Sequence, residues 1–160
     1  MRNIALKLMY NGTAYHGWQI QPNGDSVQEC LMRALATLMR REVEVIGAGR
    51  TDAGVHARRF ALNFHYDGRI PVQRIPLALN ARLPMDVRAL AAQQVPDDFH
   101  ARYAAHAKTY HYRLRCSAVD DPFDYETCHR VNGPLDLAAM QAAAAHFVGR
   151  HDFLALCASG

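Results

Sequence analysis

The sequence predicts an α+β protein built on a ferredoxin-like β-α-β-β-α-β unit with an antiparallel sheet, followed by the start of a second α+β half. Three observations carry the prediction. Four segments have strand character, most plainly where apolar residues alternate with polar ones. Two segments between them repeat apolar residues at helical spacing. The six follow one another in the order of the split β-α-β motif, which has both helices on one sheet face and leaves the other face open for something broad and flat. Residues 1–104 hold this unit, and residues 105–160 hold one further strand and one further helix.

The first strand is "NIALKLMYNG", residues 3–12, with Ile4, Leu6 and Leu8 on one side. The loop "TAYHGWQIQPNGDS" follows. It carries Tyr15, His16 and the sole tryptophan, Trp18, which reads as a staple over the sheet. "SVQECLMRALATLMRR" is the first helix. Ser26 and Glu29 have capping-box spacing, and Val27, Leu31, Leu35 and Leu38 share a face with Cys30 and Ala34 beside it. "EVEVI", residues 42–46, is the second strand. "RRFALNFHYD", residues 58–67, is the third, with Phe60, Leu62, Phe64 and Tyr66 on one side. "PVQRIPLALNARLP" is a helix of about three turns. Pro71 suits its first turn, whereas Pro76 demands a kink or a late start. "DVRALAAQQV", residues 86–95, is the fourth strand. Beyond the unit, "AHAKTYHYRLRC" reads as a fifth strand, with Lys108, Tyr110, Tyr112 and Leu114 of one parity. "PLDLAAMQAAAAHFVG" then reads as a helix stopped by Gly149.

Composition narrows the function classes. The chain is 50% hydrophobic and 21% charged, as a globular domain is. No apolar run approaches the roughly 20 residues that span a bilayer, and the N-terminus lacks a signal core. The chain therefore reads as cytoplasmic, with no membrane partner. Cys30, Cys116, Cys128 and Cys157 have neither CxxC spacing nor a His-Cys ligand pattern, so they read as reduced thiols. The nine histidines do not converge on a metal pattern either. Only Lys7 and Lys108 are lysines among 18 basic residues. Arginine forks bind phosphate and stack on bases, so the excess permits nucleic-acid binding, although the many alanines fit a compositional bias equally well.

One loop stands out. "GAGRTDAGVHARRF", residues 47–60, holds three glycines, three arginines and a single acid, Asp52. A phosphate-cradling loop needs a helix to begin at the glycines, but here a strand follows. A glycine turn in which Asp52 caps or pairs with Arg50 is one reading. The other is chemical: an arginine beside a carboxylate favours the anion, which could act as nucleophile or base. His56, Arg58 and Arg59 follow at once as donors to phosphate.

Several stretches together carry a resemblance. "GAGRTDAGVHA" is similar to the signature of the tRNA pseudouridine synthase A family. "YNGTAYHGWQIQ", "SVQECLMRAL", "NARLP", "FHARYAAHAKTYHYRL" and "GRHDFLALC" follow in that family's order, across essentially the whole chain. The resemblance implies an enzyme that isomerises uridine to pseudouridine in the anticodon stem-loop of tRNA. It implies no metal and no organic cofactor, and a homodimer clamping tRNA. It makes Asp52 the catalytic carboxylate, Arg50 the residue that helps extrude the nucleotide, and Tyr110 the ring stacked on the uracil. It also implies a further half, supplying a basic partner for the aspartate, so that residues 1–160 hold an incomplete site. Read from the residues alone, Tyr110 is equally a cross-strand core aromatic. The competing function is a non-catalytic ferredoxin-like RNA-binding module, although the aromatic motif of that class is missing.

Overall fold

The structure is a computed structural model and describes residues 1–157. The chain divides into two compact units, Met1–Tyr110 and a second beginning at His111.

In the first unit the strands β1 (Arg2–Tyr10), β2 (Val45–Gly47), β3 (Ala57–Tyr66) and β4 (Val87–Val95) form one antiparallel sheet in the order β2-β3-β1-β4. That order is the one the split β-α-β motif generates, with the first and third strands central. Register follows the apolar pattern. Ile4 pairs with Phe64, Leu6 with Leu62 and Leu8 with Phe60, so the alternating apolar residues of both central strands share one face. A slip of one residue would turn all of them to the other face.

The helix α1 (Val27–Met39) begins where its cap requires: the Ser26 Oγ accepts from the Glu29 N–H at 3.2 Å. Its buried face is Val27, Cys30, Leu31, Ala34 and Leu35, with Leu38 partly covered. The second helical segment is split as Pro76 demands. A single 3-10 turn, Val72–Arg74, precedes α2 (Ile75–Asn80), which carries Pro76 in its first turn, where no N–H is missed. Ile75 and Leu79 join Leu31, Leu35 and the sheet residues in one core. Each fully buried Leu or Ile there stabilises by roughly 1.5–3 kcal/mol.

The other sheet face is only partly open. Asn3 and Asn63 lie on it and are fully buried, because the chain leaving β4 runs back across them. The Asn3 Nδ2 donates to the Pro96 and Phe99 carbonyls at 3.0 and 2.8 Å. The Asn63 Nδ2 donates to the Asn3 Oδ1 at 3.0 Å, and the Asn63 Oδ1 accepts from the Ala101 N–H at 2.8 Å. Residues 96–101 thus cross from the β4 edge over β1 and β3 towards β2.

Two expectations are corrected. The second strand starts at Val45 rather than Glu42 and extends to Gly47. As an edge strand it is bounded by what β3 offers it. The expected fifth strand is confined to Leu114–Cys116 (β5); residues 105–113 are irregular. Alternation alone does not make a strand where no ladder satisfies the backbone.

In the second unit β5 pairs in parallel with β6 (His129–Val131). Arg115 bridges Asp121 and Asp124. The carboxyl of Asp121 is held below its ordinary range, first by the Phe123 N–H and then by Arg115. The helix α3 (Leu137–Ala145) is capped by Asp136, whose carboxylate accepts from the Ala139 N–H at 2.9 Å. It ends before Gly149, which sits three residues past its cap with φ 117°. None of its residues is buried.

Candidate active site

The loop between β2 and β3 is held from below by the loop that follows β1. The Trp18 N–H donates to the Thr51 carbonyl at 3.0 Å, and the Gly54 N–H to the Tyr15 carbonyl at 3.1 Å. The Tyr10 hydroxyl and the Thr51 Oγ1 are 2.9 Å apart. Gly17 makes the approach possible: its φ is 88°, and a Cβ there would lie 2.4 Å from the Thr51 carbonyl oxygen. Trp18 is the expected staple. It is 3% exposed, with its ring 4.1 Å from that of Phe60 and stacked with Tyr10.

Asp52 heads a tight turn. The Val55 N–H donates to the Asp52 carbonyl at 3.2 Å. Gly54, two residues after Asp52, has φ 76°, the positive value a type II turn needs at its third position. The result is a fixed backbone with its carboxylate in the open. Asp52 is exposed and makes no ion pair with Arg50 among the described residues, so the simple pairing reading of this loop fails.

Two clefts meet at this loop. One, of about 380 Å³, is lined by His16, Gln19, Ile20, Thr51 and Asp52, with Arg50 at its side. The other, of about 780 Å³, runs along the β2 edge and is lined by Trp18, Gly49, His100, Arg102 and Tyr103, again with Arg50. Arg50 and Gln19 border both.

The remaining expected site residues disperse. The His56 Nδ1 accepts from the Gly12 N–H at 3.1 Å, which ties this ring to the base of the loop. Arg58 and Arg59 are both exposed and lie in the irregular stretch of β3 where the pairing with β1 shifts, between Phe60 opposite Leu8 and Ala57 opposite Tyr10. Tyr110 is 76% exposed in this chain, outside its core, and it lines neither cleft.

Among the described residues no three His, Cys, Asp or Glu side chains are grouped to hold a metal ion, and no helix is long and apolar enough to cross a membrane. All four cysteines are free thiols; only Cys30 is buried, and burial pushes its thiol up.

Residues 7–104 match the family described as tRNA pseudouridine synthase. The chain belongs to that family. The matched span begins within β1 and runs past the crossing segment, so it contains the whole Asp52 loop and its bracing. Curated relatives named tRNA pseudouridine synthase A agree along the entire chain. The protein of Citrifermentans bemidjiense is 47% identical over 159 residues, covering 99% of this chain and 64% of its own. That of Thermoanaerobacter sp. is 42% identical, covering 100% and 66%. That of Bacteroides fragilis is 48% identical, covering 91% and 58%. The chain thus spans just under two thirds of the length of the first two and less of the third.

Sequence reasoning missed several residues at this candidate site. Tyr10 and Gly17 act on the loop from more than thirty positions away, and only the sheet brings them there. His100, Arg102 and Tyr103 line the larger cleft. Their only signal in the sequence is the short "FHARY" run, too brief to stand by itself.

Proposed function

We propose that the whole protein isomerises uridine to pseudouridine in the anticodon stem-loop of tRNA, with Asp52 as the catalytic carboxylate. Its family membership supports the reaction class. The observation that carries the residue assignment is a solvent-exposed carboxylate on a braced turn, with Arg50 bordering its cleft.

The reaction breaks the N1–C1′ bond, turns the uracil and joins C5 to C1′. The C5 proton leaves and N1 regains one, so atoms balance without an added reactant. A paired nucleotide must first leave the stack, at a few kcal/mol. Arg50, bordering both clefts, is suited to fill the vacancy. The Tyr110 ring is the wall on which the uracil turns. Asp52 as an anion acts at the sugar or on its proton. Arg58, Arg59 and His56 contact the tRNA backbone. The homodimer and the cytoplasmic setting come with the same reading.

The test is tritium release from tRNA labelled at uracil C5, with the whole protein. Asp52→Asn is expected to abolish release while tRNA affinity stays within a few-fold, since binding rests mainly on phosphate contacts. Release at the wild-type rate would remove Asp52 from the chemistry. A wild-type protein that binds tRNA without releasing tritium would be the non-catalytic RNA-binding module instead.

A further inference from the structure

The segment after β4 is built with more care than a connection needs. It crosses the sheet on two fully buried asparagines, Asn3 and Asn63, whose side chains hold four of its backbone groups, those of Pro96, Asp97, Phe99 and Ala101. It then makes a turn in which the Tyr103 and Ala104 N–H groups donate to the His100 carbonyl at 3.1 and 2.9 Å. That turn stacks the His100 and Tyr103 rings, with centroids 4.2 Å apart and planes 23° from parallel. Tyr103 is 81% exposed, so one face of the pair is backed and the other is open to solvent. The segment ends at Lys108, which lies against Gly49: a Cβ on that glycine would be 2.3 Å from the Lys108 Nζ.

The chemistry of the resulting cleft is one-sided. Arg50, Arg102 and Lys108 line it, with His100 and His106, and no carboxylate does. A backed aromatic face beside three exposed cations suits a ligand that offers both a flat ring and an anionic backbone. A polynucleotide is such a ligand, because bases stack on aromatic side chains whatever their identity while cations track the phosphates.

We propose that residues 100–108 form a docking wall for a nucleotide flanking the extruded one: its base lies on Tyr103, and its phosphates meet Arg102 and Lys108. The proposal rests on the tRNA reading above and extends it. Arg50, shared by both clefts, is where the strand divides. The target nucleotide enters the Asp52 side, and its neighbour follows the β2 edge. Asn3 and Asn63 are positioning residues, since they touch the wall's backbone and not the ligand.

The test is tRNA affinity of the whole protein as a function of salt. Tyr103→Ala is expected to weaken binding by about tenfold or more, and Tyr103→Trp to restore it. Arg102→Ala should lower the log–log salt slope by about one unit. Both side chains are exposed, so unchanged thermal melts will show that the fold is kept. Tyr103→Ala with wild-type affinity and Arg102→Ala with an unaltered slope would overturn the wall. Weakened binding in a protein that forms no pseudouridine would sustain the wall and remove the catalytic reading.

Discussion

The Asp52 loop and the stretch around Tyr110 are both exposed, and both contain a residue expected at the site, yet they are held in opposite ways. Residues 47–56 have no periodicity, but their backbone is bonded to Tyr15, Trp18 and Ala61 and their turn closes on itself. Residues 105–113 alternate like a strand, but they are irregular and leave Tyr110 and Tyr112 mostly exposed. Rigidity here comes from where backbone groups find partners, not from hydrophobic pattern. A functional carboxylate gains most from the first arrangement, since a side chain is only as well aimed as the backbone that carries it.

The sharpest way to break the contrast is Gly17→Ala. The new methyl would press on the Thr51 carbonyl from a left-handed backbone. The conformation costs about 1–2 kcal/mol and the overlap about 1–3 more, so stability should fall by about 2–5 kcal/mol. The damage should reach the loop's geometry, with tritium release falling further than the melt accounts for. A variant with unaltered melting and full activity would show that the loop is not braced there.

A smaller effect is expected for Tyr10→Phe, which removes the bond to Thr51 and nothing else. A cost of about 0.5–1.5 kcal/mol follows from one hydrogen bond. Burial pushes the Tyr10 hydroxyl above its ordinary 10.0, with the Thr51 bond opposing in part. The neutral form is therefore favoured on folding, and its stabilising contribution is full below pH 10.0 and lost as pH rises above it. The gap in melting temperature between wild type and Tyr10→Phe should narrow on the alkaline side. A gap that widens there would mean the hydroxyl is not the buried group described.

How much of this could be read in the sequence follows the same division. Ile4, Leu6, Leu8 and Phe60, Leu62, Phe64, Tyr66 declared two strands and their inner face, because both central strands really are half-buried. Ser26 and Pro76 marked where the helices start. The alternation in 105–113 misled, since pattern cannot show whether a partner strand exists. Asn3 and Asn63 were invisible as interior residues: an asparagine in a strand reads as solvent-facing unless the chain that covers it is known. The larger cleft was out of reach for a related reason. It forms where Gly47–Arg50 and His100–Lys108, some fifty positions apart, meet at a sheet edge. The loop, by contrast, was legible in its chemistry but not in its mechanics, because glycines announce close approach without naming what approaches.

Tyr110 sharpens the comparison with the smallest change in stability. Its side chain is 76% exposed and belongs to no ladder, so Tyr110→Ala should leave the melt within about 0.5 kcal/mol. If the ring is the wall on which the uracil turns, activity should still fall by roughly ten- to hundredfold, the equivalent of about 1–3 kcal/mol of stacking. Tyr110→Phe keeps the ring and should keep most of the activity. The pair of measurements separates three possibilities. An alanine variant that is stable and slow supports a ring that serves the substrate alone. One that is unstable would mean that the exposed stretch packs against something in the whole protein. A phenylalanine variant as slow as alanine would move the role from the ring to the hydroxyl, and the stacking assignment would fall. The contrast with Gly17 is then complete: one residue shapes the site through the fold and is felt in every measurement, and the other is felt only when uridine is present.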